Sequence, residues 1–335
     1  TRQLAVLSGS GVTVLKGLNI LEEQQKPGLF RNIIDSLSKD VESGCSLSDA
    51  LSKYPSVFSS LYVNMVKSGE VGGVMEVVLS RLADFAEKNQ RLSNKVRAAL
   101  VYPIFVVAIC FIVLTILVTF VVPKFMSIFA ELGVNMPIPT LILLSVSNML
   151  RRYWYIAPFT IPLFIFLYTR IMKSSRLRHR VDSLKLRLPI FGALFRNIII
   201  ARFSRTFGTL TRSGVPILQA LNISKDTTDN IVISDAIKKI HDSIREGDTV
   251  AGPLAKSGIF PAIVVNMINV GEETGQLDSM LLKAADTYED EVEATVTGLT
   301  SVLEPVLILI MGLVVGFIIM SMLMPLISLI GSLSS

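Results

Sequence analysis

V-N-M-V-K-S-G-E-V-G-G-V-M-E, residues 63–76, returns as V-N-M-I-N-V-G-E-E-T-G-Q-L-D, residues 265–278. Each stretch ends an apolar helical run, sets glycines around a glutamate, and starts a second helix. In this reading Gly69 and Gly271 end a helix in the left-handed conformation, where a side chain would clash. Glu70 and Glu272 sit near the start of the following helix, whose positive end favours their charge. Gly73 and Gly275 let the two helices pack closely. A second, compatible reading has the turn present its carboxylate to a partner.

Working outward, the polar regions 1–97 and 173–300 read as copies. Ser10-Gly11-Val12 aligns with Ser213-Gly214-Val215, Arg2 with Arg205, and Gly44 with Gly247. After a one-residue slip near residues 256–260, Gly69-Glu70 aligns with Gly271-Glu272, and Leu79, Ala83 and Glu87 with Leu281, Ala285 and Glu289. Tyr102-Pro103 aligns with Glu304-Pro305. One internal duplication explains this better than chance, and its period is too long for a solenoid. Within the first copy Leu4, Leu7, Val14, Leu15, Leu18 and Leu21 recur at helical spacing. So do Ile33, Ile34, Leu37 and Val41, and then Val74, Val77, Val78, Leu82, Phe85 and Leu92. No run alternates as a strand. The expected fold is all-α: two homologous helical bundles and three transmembrane helices.

Composition agrees. Of 335 residues 51% are hydrophobic and 18% charged, and the mean hydropathy is +0.58, too high for a typical soluble protein. Residues 98–123 carry no charge over 26 positions, enough to cross a bilayer. The 17 residues between Arg152 and Arg170 are a shorter candidate, disturbed by Pro158 and Pro162 and flanked by the interfacial aromatics Tyr153, Trp154 and Tyr155. After Glu304 no charge follows.

Basic residues set the orientation. Lys88, Arg91, Lys95 and Arg97 precede the first span. Arg170, Lys173, Arg176, Arg178, Arg180, Lys185 and Arg187 follow the second. The positive-inside rule then places both polar regions in the cytoplasm. The expected order is a cytoplasmic domain 1–97, span 98–123, a short outer loop 124–152, and span 153–172. A second cytoplasmic domain 173–300, span 301–327 and an outer tail 328–335 complete it. The chain opens within a helical pattern and without Met, so residues upstream are expected.

The chemistry of a catalyst is not legible. There is no G-x-x-x-x-G-K-[ST] phosphate cradle, the two cysteines and two histidines have no metal-ligand spacing, and no nucleophile has a recognisable base. The basic stretch 170–187 marks a cytoplasmic membrane face rather than a nucleic-acid site. Asp278, Asp286, Glu289, Asp290, Glu291 and Glu293 read as a solvated or partner-facing acidic surface before a cation site. Pro103 and Pro305 suit a first helical turn or a kink at the membrane. Glu304 fits the cytoplasmic interface, and inside the bilayer it would need a partner. The competing class is a transporter or channel built on an internal duplication.

Four features together resemble the inner-membrane platform proteins of type II secretion systems and type IV pilus machines, the GspF/PilC family. They are the opening T-R-Q-L-A-V-L-S-G-S-G-V-T-V-L-K-G-L, the two G-E-x-x-G segments, A-A-L-V-Y-P and L-E-P before two spans, and the hairpin with V-V-P-K-F and L-G-V-N-M-P-I-P-T. The resemblance covers essentially the whole chain. It implies a multi-pass, non-enzymatic protein of the bacterial inner membrane, in contact with lipid and forming a homo-oligomer. Its expected partners are a hexameric cytoplasmic assembly ATPase, inner-membrane assembly proteins, and pilin or pseudopilin subunits. No cofactor or nucleic acid is implied. Some members carry divalent cations in the first domain, and the resemblance assigns no ligand set in this sequence. The family's N-terminal segment ahead of the first repeat is expected to lie outside this chain.

Overall fold

The computed structural model describes residues 1–131, 136–153, 155, 162–163, 166–167, 169–171, 174–189, 191–228 and 230–333. Every regular element among them is helical. In chain order these are α1 (Arg2–Gly9), α2 (Val14–Gln24), α3 (Leu29–Glu42), α4 (Leu47–Ser52), α5 (Ser60–Gly72) and α6 (Met75–Ile116). A π-helical segment (Leu117–Val121), α7 (Val122–Glu131) and α8 (Ile138–Tyr153) come next. Then follow α9 (Ser175–Arg187), α10 (Phe191–Arg212), α11 (Ile217–Asp226), α12 (Ile231–Arg245), α13 (Ala251–Lys256), α14 (Ala262–Glu273) and α15 (Leu277–Leu333).

The chain divides into two compact units. The first holds Thr1–Lys95 with His179–Ala294, so both sequence copies share it. Their apolar faces form one continuous cluster, from Leu4, Leu18, Leu37 and Met65 to Phe203, Phe207, Ile237 and Leu281. Local chemistry explains the helix starts. Thr13, Ser46, Ser59 and Asn230 each cap a helix by accepting an N–H from its first turn. Most of the predicted face is inside: Leu4, Ile33, Ile34, Leu37, Val78 and Leu82 are buried. Val74 and Val77 depart from it. Val74 falls in the turn before α6, and Val77 lies about 100° around the helix from Val78; both are exposed.

The second unit holds Val96–Arg178 and Thr295–Ser335. Two helices are long and apolar enough to cross a membrane, Met75–Phe129 and Leu277–Ile327, with only 6% and 11% of their most apolar windows buried. Exposed Ile104, Phe105, Phe111, Ile308, Leu309 and Leu313 make that surface unsuited to water. These two helices do not start where charge ends. α6 is 42 residues long and α15 is 57. A hydrocarbon core needs only about 20 residues, so each helix also carries a long charged section. α15 continues past the expected end of the third span at 327. The second expected span, 153–172, falls largely outside the described residues. The connection 124–152, expected as a short loop, is itself mostly helical in α7 and α8.

Those helices build a small core of Val118, Val122, Met126, Phe129, Leu143 and Ile318. The π segment beside it has a sequence cause. Val122 donates its N–H to the Leu117 carbonyl, five residues back. In that register the Val118 carbonyl looks to residue 123, and Pro123 has no N–H. The buried Ser147 hydroxyl of α8 supplies the missing bond to the Val118 carbonyl, at 2.6 Å. Thr140 likewise donates to the Ser321 carbonyl at 2.6 Å. Ser147→Ala is therefore expected to cost about 1 kcal/mol, read as a lower melting temperature in detergent. Ser145→Ala should change nothing measurable, because that exposed hydroxyl only returns to the Leu141 carbonyl of its own helix.

Candidate functional site

The repeated Gly-Glu turns close α5 and α14, and the glycine roles are the reverse of those expected. Gly73 and Gly275 hold the left-handed conformation, with φ of 65° and 69°. At each, the glycine N–H reaches back three residues (Gly73 to the Glu70 carbonyl, Gly275 to Glu272). The next N–H reaches back five (Val74 to Gly69, Gln276 to Gly271). This is the Schellman arrangement, and it needs the positive φ at its glycine. The same bond pair closes the turns at Gly11 and Gly214 and at Gly44 and Gly247. Gly69 and Gly271 are the close-packing positions. A Cβ on Gly69 would meet the Val78 side chain at 3.0 Å, and one on Gly271 would meet Leu277 Cα and Met280 at 3.0 Å.

The glutamates are also placed differently. Glu70 and Glu272 lie inside the helix before the turn, and each carboxylate reaches the start of a helix far back in sequence. Glu70 accepts from the Leu47 N–H, the Ser48 N–H and the Ser48 hydroxyl of α4. Ser46 takes the next N–H, of Asp49, so the first three donors of α4 are satisfied. Glu272 accepts from Val250 N–H at 2.8 and 2.9 Å and from Ala251 N–H at 3.1 Å. Thr249 takes the Gly252 N–H, and Pro253 has none to satisfy. Both carboxylates are engaged at helix starts, where charge and dipole agree.

A second matched feature was aligned in sequence but given no role there. Arg2 pairs with Asp84 at 2.5 Å and Glu87 at 2.7 Å. Arg205 pairs with Asp286 at 2.6 Å and Glu289 at 2.8 Å. The geometry is shared and the burial is not: the Arg2 side chain is 41% exposed and that of Arg205 4%. An arginine eight residues before a copied Ser-Gly-Val turn carries no pattern that separates a surface clamp from a buried one. Bonds also join the copies. Lys88 reaches Asp286 at 2.8 Å, Lys95 reaches Glu293, Gln219 reaches Asn64 at 2.6 Å, and Arg81 donates to the Arg212 carbonyl. Much of the acidic face of α15 is thus committed internally. Among the described residues no three His, Cys, Asp or Glu side chains are placed to hold a metal ion.

In the second unit the two aligned positions before the spans meet: the Tyr102 hydroxyl lies 3.5 Å from a Glu304 carboxylate oxygen. Pro103 and Pro305 lie inside α6 and α15 rather than in a first turn. Each leaves the carbonyl four residues earlier without its usual helical donor. Pro103, Ile104, Val107 and Phe111 line one apolar groove with Leu303 and Leu307.

The exposed surface separates the two turns. Around the first, Val71, Val74 and Val77 are 85%, 48% and 44% exposed. The aligned positions of the second are Glu273, Gln276 and Ser279.

The model of the family described as type II secretion system protein F matches residues 1–123 and 203–325. The type IV pilus assembly protein PilC of Thermus thermophilus is 42% identical over 341 residues, covering 100% of this chain and 82% of that protein. PilC of Myxococcus xanthus is 39% identical over 333 residues, 99% of this chain and 80% of its own length. The type II secretion system protein F of Aeromonas hydrophila is 35% identical over 333 residues, 98% of this chain and 85% of that protein.

Proposed function

The chain belongs to the type II secretion system protein F family, and on that premise we propose that it is the inner-membrane platform of a secretion or pilus assembly machine. It passes the motion of a hexameric cytoplasmic assembly ATPase to pilin-like subunits leaving the bilayer. Both sequence copies face the cytoplasm, three spans cross the membrane, and the protein works as a homo-oligomer without catalysis of its own. Two features support a coupling role: both long helices carry a charged section and an apolar section without a break, and clamps and caps stiffen the unit that would receive the force.

The observation that carries the reading is the difference between two otherwise matched turns. Water tolerates Glu273, Gln276 and Ser279, whereas Val71, Val74 and Val77 lose nothing by being covered. The first turn faces the motor, and the second faces a neighbouring subunit or solvent. A pull-down of the detergent-solubilised protein against the assembly ATPase of the same genome tests this. Val71→Asp with Val77→Asp should weaken capture at least ten-fold while leaving the melting temperature unchanged. Glu273→Val should leave capture intact. Equal capture by both variants would remove the motor contact from this turn.

A further inference from the structure

A cleft of about 350 Å³ opens in the first unit between α6, α10 and α15. Its charge does not balance. Lys88 and Arg205 share Asp286 there, at 2.8 and 2.6 Å, and Arg205 also has Glu289. The other two acids of its wall, Asp84 and Glu87, are already held by Arg2. Five cationic side chains, Arg81, Lys88, Arg91, Arg205 and Arg212, thus share the wall with three carboxylates. No carboxylate forms an ion pair with Arg81, Arg91 or Arg212 among the described residues, and Asp278 and Glu87 act on Arg81 and Arg91 only at longer range.

Arg81 is anchored rather than free. One of its terminal nitrogens donates to the Arg212 carbonyl and lies 3.5 Å from the Ser213 hydroxyl. Burial lowers its hold on its proton, Arg212 lowers it further, and Asp278 offsets this only in part. A guanidinium keeps its charge regardless, so the wall is short of negative charge.

We propose that this cleft binds a small multivalent oxyanion of the phosphate type, such as a pyrophosphate or the phosphate chain of a nucleotide. Planar guanidinium forks match phosphate oxygens two at a time. The volume is at the small end of ligand pockets, which run from about 300 Å³ upward; it suits a compact anion better than a polypeptide. Arg81 and Arg91 come from the first copy and Arg212 from the second, so the bound anion ties the two copies together.

The test uses the full chain in nanodiscs of phosphatidylcholine alone, titrated with pyrophosphate at constant ionic strength set by chloride. A saturable rise in melting temperature is expected, with calorimetric binding weakened at least ten-fold by Arg212→Gln and by Arg91→Gln. Both side chains are exposed and have no ion pair to lose, so these variants should fold. Lys239→Gln, away from the cleft, should bind as the parent does. Binding by either arginine variant as tight as the parent's, or no rise beyond the chloride control, would overturn the site. A rise only in discs containing phosphatidic acid would assign the cleft to lipid headgroups, and binding of a polyglutamate peptide without pyrophosphate would assign it to an acidic partner. Either result would overturn the soluble-anion assignment.

Discussion

Glu272→Ala is expected to lower the stability of the first unit by about 3 kcal/mol, because charge-assisted bonds contribute about 1.5–3 kcal/mol each and two donors lose their acceptor. At this size the loss is a fall of about 6–12 °C in melting temperature. The donors are the Val250 and Ala251 N–H groups, and Glu272 is the side chain that serves both. Nothing nearby replaces it: Thr249 is occupied with Gly252. Glu272→Gln keeps a neutral acceptor and should recover part of the loss. Glu70→Ala should cost a similar amount, since it strips Leu47, Ser48 and the Ser48 hydroxyl together. A thermal melt unchanged by Glu272→Ala would mean that water serves these donors equally well and that the cap contributes nothing.

The second large effect is a contrast between two clamps of the same chemistry. Glu289→Ala is expected to cost about 3 kcal/mol, because it leaves a buried guanidinium short of charge. Glu87→Ala should cost far less, because water screens the exposed Arg2 and Asp84 still pairs with it. Arg205→Met should be milder than Glu289→Ala, since an apolar side chain suits that site and the acids left behind are more exposed. The pH dependence has a definite sign. Burial alone would raise the Asp286 pKa, but hydrogen bonds from Lys88 and Arg205 outweigh it and hold the carboxyl below its ordinary value. A depressed carboxylate pKa contributes stability above its unfolded value, about pH 4, that is lost as pH falls through the folded value. Acid melts between about pH 5 and 2 should therefore show a smaller loss in Asp286→Asn than in the parent; Glu87 and Asp242, also held below their ordinary values, keep the rest. Equal costs for Glu289→Ala and Glu87→Ala would show that burial does not distinguish the clamps.

Much of this was legible before any coordinates. Leu4, Leu18, Ile34, Leu37 and Leu82 repeat at helical spacing, and they are buried. The register that pairs Gly73 with Gly275 and Arg2 with Arg205 reappears as matched turns and matched ion pairs. Other features were not legible. Gly69 and Gly73 exchange the roles that the sequence suggests, because both satisfy the same local pattern and only the approach of Val78 to one and the positive φ of the other separate them. Proximity in sequence points Glu70 and Glu272 to the following helix, whereas their donors lie more than twenty positions earlier.

The sequence by itself determined the helical class, the apolar runs and the internal register, because periodicity, hydropathy and the need for glycine in a left-handed turn are local properties. Only the tertiary structure decided which N–H groups each glutamate satisfies, which arginine is buried, and which valines remain outside. Those outcomes depend on how helices distant in sequence pack against one another. Burial, and with it the strength of every charged contact, is fixed by that packing.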